Sequence, residues 1–321
     1  MKGLEKVLQI KGKKFLFKVE ESGDHRDYLK YEELRNEVWA EPNDNMAGSR
    51  NMKCENFLHE GSSLFIGVFI EADKGGFKQD KEHLVGFSYG FVGIQDKEIA
   101  YREPGNLWFY SQYACVRKDF EHLGLGVRIK EFQKETLVQT FGIYTITCTY
   151  DPLTGINAYR NIHHLGMDVV DYREAYYGQF GGLLNRLDVP CDRLFVTWDL
   201  KRKIRRPEYD LDFLIESGCL ALEAEMRTVR GRSGPLKLES VKNVNLDLDS
   251  EFLLIEIPVD FYAMLRETDV EDEEVRNIPL QWREKTREAF EMLLQRGYRI
   301  IDFRKVKRNN RIRDFYVLKK E

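Results

Sequence analysis

The stretch Cys115-Val-Arg-Lys-Asp-Phe-Glu-His-Leu-Gly-Leu-Gly-Val-Arg-Ile-Lys130 carries the residues whose types and spacing best suit chemistry. It reads as a strand that ends in a loop, and the loop turns into a helix. Gly124 and Gly126 let main-chain amides approach a ligand with no Cβ in the way, and the first amides and dipole of the helix favour an anion. His122, Leu123, Gly124, Leu125, Gly126 and Val127 thus form a candidate diphosphate seat. Arg128 and Lys130 either meet phosphates by charge or form the solvated face of that helix. The seat lacks the Lys-Ser/Thr ending of a nucleotide P-loop and the acidic residue about 20 positions on that a dinucleotide fold requires. A tight turn with no ligand uses the same residues, so Gly-x-Gly alone does not decide the matter.

The elements that must position this loop alternate between strand and helix patterns. Residues 14–20, 64–71, 84–94, 107–116, 143–150, 167–172 and 194–200 read as strands. Residues 28–38, 124–141 and 156–165 read as helices, the second with Leu125, Ile129, Phe132, Leu137 and Val138 on one face. This order predicts an α/β domain, a mixed sheet with helices on both faces, over residues 1–200. A basic stretch at 201–206 followed by Pro207 marks a boundary. Residues 201–321 predict a smaller α+β unit: strands at 236–241, 252–257, 298–306 and 312–319, the last two paired across Asn309-Asn310, and a helix at 279–296. Pro279 suits the first turn of that helix and Gly297 its end. Its strand, helix, strand order echoes residues 107–150, which leaves a degenerate duplication open.

Composition limits the functions available. Of 321 residues, 42% are hydrophobic and 32% charged, enough for a sizeable core. The formal charge of −4 argues against binding nucleic acid or an acidic membrane through one large positive field. No apolar run approaches the about 20 residues of a membrane helix, and residues 1–14 mix lysines with single apolar residues, unlike a secretory signal. Five scattered cysteines without Cys-x-x-Cys pairs predict reduced thiols in a soluble cytoplasmic protein and no metal site.

Val116, Lys118, Glu121, Gly124 and Gly126 stand at the spacing Val-x-x-x-x-(Arg/Gln)-x-x-Gly-x-(Gly/Ala), which resembles the acyl-CoA signature of the GNAT superfamily of N-acyltransferases. Tyr150 to Leu153, Asn157-Ala158, Leu165-Gly166, Tyr177-Gly178 and Asp192-Arg193-Leu194 are similar to a series found in a subfamily of long, uncharacterised predicted acetyltransferases. Residues 257–260, 282–283 and 296–298 extend the resemblance toward the C-terminus, so the C-terminal unit is either a separate domain or a degenerate GNAT-like half.

The resemblance implies a GNAT-like fold whose fourth and fifth strands splay apart. The pantetheine arm of acetyl-CoA, or of another acyl-CoA, would lie in the gap and take main-chain hydrogen bonds around Cys115 and Val116. An amide near Val116 would polarise the thioester carbonyl, and Asn157 is a candidate contact to the pantetheine amides. It implies direct transfer of an acetyl group to the amine of a small metabolite, with the C-terminal unit walling the acceptor pocket. Three positions depart from the pattern: Glu121 stands where Arg or Gln is usual, Ile162 where many members have a Tyr acid, and Gly155 where the usual Asn falls.

Asp151 is the first candidate for the general base, although Asp-Pro also starts ordinary turns. Tyr113 and Tyr110 are candidates for the acceptor pocket or for core, and His163 is a further catalytic candidate. Two other readings stay open: an acyl-CoA-binding module without turnover, and a nucleic-acid contact through residues 201–206 or 299–313, which the acidic balance disfavours. A homo-oligomer is left open.

Overall fold

The computed structural model describes residues 4–39, 46, 48–178, 181–204, 206–308 and 310–321. Internal packing divides the chain into two compact units, Met1–Cys148 with Trp198–Arg202, and Thr149–Thr197 with Lys203–Glu321. This division differs from a single boundary at 200/201 in placing residues 149–197 with the C-terminal segment.

The first unit is built on β1 (Glu5–Ile10), β2 (Lys13–Val19), β3 (Ser63–Ile70), β4 (Leu84–Ile94), β5 (Leu107–Val116) and β6 (Thr145–Tyr150). The first five form an antiparallel ladder in chain order, and β6 joins β5 in parallel, so the sheet is mixed. Lys11 and Gly12 both take positive φ between β1 and β2, the conformation of a two-residue hairpin turn.

Helices cover both faces of this sheet. On one, α1 (Leu29–Trp39) and α2 (Ser49–Glu55) bury Tyr31, Leu34 and Met52 against Phe65, Phe69, Phe87, Tyr89 and Cys115. On the other lies α3 (Leu125–Thr136), where Phe132 meets Phe17 with ring centroids 6.1 Å apart and Gln133 reaches Ser88. Strand alternation explains the separation: Phe87 and Tyr89 point to α1 while Ser88 points to α3. The α3 pattern read from sequence as continuing to Phe141 changes winding, and Leu137–Phe141 forms a wider π turn.

The junction of β4, β5 and β6 positions the site. Tyr89 opposes Tyr113 but Gly90 opposes Ser111, so Gln112 is an extra residue on β5, a β-bulge. Gly90 is needed there, because a Cβ would stand 2.4 Å from the Tyr110 carbonyl oxygen. Parallel pairing with β6 is confined, among the described residues, to Phe109 with Ile146 and Tyr110 with Thr147. The bulge twists β5 just past Tyr110, and residues 111–116 keep the β6 side free of strand pairing.

The second unit contains α4 (Gly155–Ala158), continued by a π turn over Tyr159–His164, then the antiparallel pair β7 (Asp168–Arg173) and β8 (Arg193–Asp199), β8 ending in the first unit. Further along come α5 (Leu211–Glu216), β9 (Leu220–Gly231), β10 (Gly234–Val244), β11 (Phe252–Ile257), α6 (Phe261–Glu267), α7 (Glu273–Arg276), α8 (Ile278–Gln295), β12 (Tyr298–Arg308) and β13 (Arg311–Lys320). A five-stranded sheet of order β10-β9-β11-β13-β12 forms, with β13 inserted between the two strands that α8 connects. Trp282, Ala289, Phe290 and Leu293 of α8 are buried, and Gly297 with φ 86° ends the helix as expected. Arg308 opposes Arg311 and Asn310 has φ 61°, while Asn309 lies outside the described residues.

Candidate functional site

In the first unit the loop between β5 and α3 holds the candidate diphosphate seat. Gly124, with φ 78°, precedes α3, and His122 also takes a positive φ, so the chain turns sharply between strand and helix. The amides of Leu123, Gly124, Leu125 and Gly126 have no protein acceptor among the described residues, and a Cβ at Gly124 would meet open space. Four donors at a positive helix end have the geometry that suits an anion. Lys11, from the β1–β2 turn, donates to the His122 carbonyl at 2.9 Å and brings an ammonium to the same loop. Glu121 is exposed, so its carboxylate need not face an anion held by these amides. Arg128 pairs with Glu131 at 2.7 Å on the exposed side of α3. Lys130 is instead buried and donates to Ser111 at 2.6 Å, which corrects its reading as a solvated or phosphate-binding residue.

Cys115 and Val116 lie on the free stretch of β5. Burial pushes the Cys115 thiol well above its ordinary value, so it stays protonated and is a poor nucleophile. Tyr113 sits half-buried between Trp39 at 5.7 Å and Tyr89 at 6.3 Å, with the Arg35 guanidinium 5.2 Å from its ring. Tyr89 donates to Glu55 at 3.1 Å, and burial pushes its hydroxyl up to about 12. These residues form an aromatic wall with one carboxylate.

Asp151, the first candidate for the base, lies in the second unit. Asp151 is 6% exposed, and its oxygens take two hydrogen bonds from Arg283 at 2.9 and 2.5 Å and one from the Leu153 amide at 2.9 Å, with Arg193 3.5 Å away. Burial alone would raise this carboxyl, but the charge and hydrogen bonds of Arg283 outweigh it and hold Asp151 below the usual carboxylate range. A carboxylate so held takes protons poorly and fastens the segment after Tyr150 to α8. Asn157 is also occupied locally, donating to Thr154 at 3.1 Å and accepting from Arg160 at 2.9 Å. Ile162 is buried.

His163 stands apart from these. Its Nδ1 lies 2.7 Å from Asp302 Oδ1, and Tyr159 stacks on its ring at 4.7 Å. Asp302 also accepts from Tyr209 at 2.5 Å. Neither Asp302 nor Tyr209 was visible as a partner in the sequence, and no local signal marks them.

Within residues 299–313, Arg311 and Arg313 meet the buried Glu256, Lys305 meets Asp314, and Arg308 meets Glu216. In the other basic stretch, Lys201 lies over the Tyr144 ring at 3.9 Å, and Arg205 lies outside the described residues. Among the described residues no helix is long and apolar enough to cross a membrane.

No protein-family model and no curated protein matches the sequence. Among solved structures the chain is similar to NAA60 of Arabidopsis thaliana in complex with a bisubstrate analogue, at 10% identity, TM-score 0.42, over 57% of this chain and 98% of that one. It is similar to the ribosomal-protein-S18-alanine N-acetyltransferase of Escherichia coli at 10% identity, TM-score 0.39, over 60% and 99%. A third similarity is to an aminoglycoside acetyltransferase from an uncultured soil metagenomic sample in complex with sisomicin, at 12% identity, TM-score 0.33, over 43% and 78%.

Proposed function

We propose that the chain is an acetyl-CoA-dependent N-acetyltransferase of the GNAT kind that acts on the amine of a small metabolite by direct transfer. The observation that carries this reading is the bulge at Gln112, which parts β5 from β6 shortly before a loop with four free amides. The amides of residues 123–126 and the Lys11 ammonium would hold the diphosphate. The free edge of β5 would take the pantetheine amides around Cys115 and Val116, and a main-chain amide there would polarise the thioester carbonyl. The amine nitrogen attacks the carbonyl carbon, the C–N bond forms, and the C–S bond breaks with its electron pair on sulfur. Holding both reactants in this geometry supplies much of the acceleration. Tyr113 and its aromatic neighbours supply one wall for the acceptor.

Calorimetric titration with CoA, and CoA release measured across a panel of amines, test the proposal. Gly124→Val forces a β-branched residue into a left-handed conformation and crowds the cradle, so CoA affinity should fall at least tenfold, or about 1.4 kcal/mol. CoA binding that survives Gly124→Val combined with Gly126→Val would place the diphosphate elsewhere. Binding without turnover on any amine would favour a CoA-binding module, a reading that the buried Ile162 supports.

A further inference from the structure

We propose that Glu55 and the aromatic residues beside it bind a second cationic nitrogen of the acceptor, so that the favoured substrates are long diamines; this rests on the acyltransferase reading. Every residue concerned belongs to the first unit. The partners of that unit's buried and half-buried carboxylates set Glu55 apart. Among those described, Glu20, Asp24, Glu32, Glu71, Glu131 and Glu135 each meet a lysine or arginine. Glu55, half-buried, has no cationic partner among the described residues, and its carboxylate accepts from the Tyr89 hydroxyl alone. A carboxylate has room for about four hydrogen bonds, so most of its capacity is open.

The fold holds this residue in place without giving it a counter-charge. Glu55 ends α2, and the buried Asn56 that follows donates from its side chain to the Glu20 carbonyl and to the Tyr28 hydroxyl, both at 2.8 Å. A Cβ at Gly61 would stand 2.0 Å from the Glu55 carbonyl oxygen, so the turn after α2 closes directly on Glu55. A negative side chain in the last turn adds to the negative end of a helix. Helix stability therefore does not account for it, and a cation is the group that would relieve it.

The wall next to the carboxylate suits the same guest. Tyr89 and Tyr113 stack at 6.3 Å with their planes 24° apart, and Trp39 meets Tyr113 edge to face at 5.7 Å. Trp39 and Tyr113 are half-buried and so are not sealed in the core. Aromatic faces carry negative charge density, and a cation placed between them and a carboxylate is attracted by both. The Arg35 guanidinium, 5.2 Å from the Tyr113 ring, already uses this attraction; Glu32 at 3.5 Å balances its charge, which leaves Glu55 uncompensated. Strand spacing sets the length of the guest. Tyr113 precedes Val116, where the proposed thioester carbonyl lies, by three positions of β5, about 10 Å. A second nitrogen that reaches Glu55 while the reacting amine lies at Val116 needs a chain of that order.

CoA release by the full chain, measured with straight-chain α,ω-diamines and with the n-alkylamine of each length, tests this. For the longer diamines kcat/KM should exceed that of the matched alkylamine about tenfold or more, and for ethylenediamine the advantage should vanish. Glu55→Gln should reduce that ratio about tenfold, through KM, because the lost contact serves ground state and transition state alike. Tyr113→Leu should reduce it less. Glu55→Lys should turn the preference toward ω-amino carboxylates of the same length, an outcome that a merely structural role for Glu55 does not produce. Equal kcat/KM for the two series, or turnover confined to amines outside both, would overturn the inference and leave the acyltransferase reading standing. So would a Glu55→Gln protein that binds CoA and keeps its ratio within twofold of the wild type. A wild type that releases CoA with no amine at all overturns both.

Discussion

If Asp151 fastens the fold and is not the base, then removing its partner and removing Asp151 itself should cost similar stability. In Arg283→Met the Asp151 carboxylate stays buried with Arg193, at 3.5 Å, as its remaining cation. In Asp151→Asn the Arg283 guanidinium, 1% exposed, loses both of its charged contacts. Breaking a buried pair from either side costs about 3–5 kcal/mol, a large share of the about 5–15 kcal/mol that holds a typical domain together. The double variant removes both charges and should cost no more than either single one, so the coupling in the cycle is at least one single loss, about 3 kcal/mol or more.

Urea unfolding followed by circular dichroism reads these differences, and CoA release read on the same samples separates stability from catalysis. The pH dependence has a definite sign. The folded carboxyl lies below its unfolded value, so its contribution is complete above the ordinary 3.8 and fades as pH falls through the lower folded value. The gap between wild type and Asp151→Asn should therefore be full at pH 7 and shrink in strong acid. An Asp151→Asn protein with an unchanged unfolding midpoint and no turnover would refute the reasoning and return Asp151 to the role of base.

Two further outcomes follow from the buried ion pairs of the second unit. Burial raises Asp314 to about 6 against the pull of Lys305, so its contribution is present below the ordinary 3.8 and lost as pH rises through about 6, a difference of about 3 kcal/mol; urea midpoints of Asp314→Asn should vary less between pH 4 and 7 than those of the wild type, and an equally steep dependence would exclude the assignment. Gly155→Ala would put a Cβ 2.1 Å from Asp314 Oδ2, with Lys305 holding that carboxylate in place. It should cost about 1–3 kcal/mol by thermal unfolding, and Asp314→Ala in the same chain should restore part of it; an unaltered single variant would show that the carboxylate swings freely.

The elements that sequence pattern located well are those that bury continuous apolar runs. The strands read at 84–94, 107–116 and 252–257 are β4, β5 and β11 without change. Those missed carry little such signal. β1 is an edge strand with mostly exposed residues, and its Glu5, Lys6 and Gln9 look like loop until β2 pairs with it. In β9 the buried Ala221, Leu222, Ala224 and Val229 are interleaved with charges that the β10 hairpin tolerates. α2 buries a single residue, Met52, and has no periodicity to read. Pairing, a long-range property, decides the two strands, and the burial of Met52 the helix.

The same division separates what was legible in the site. The proposed diphosphate seat is local: a strand, two glycines and a helix start lie within 20 residues, and backbone sterics dictate the turn. Proton chemistry is not local. Asp151 and His163 are both plausible from position, and what distinguishes them arrives from 132 and 139 residues away. Arg283, one turn inside α8, neutralises the first by a bidentate contact, while β12 presents a carboxylate to the second with no guanidinium of its own. A residue's type and spacing set what it can donate or accept; its partner decides whether that capacity is already spent. In the second unit four buried acids are spent on arginine or lysine, and the fifth, Asp302, faces the His163 ring.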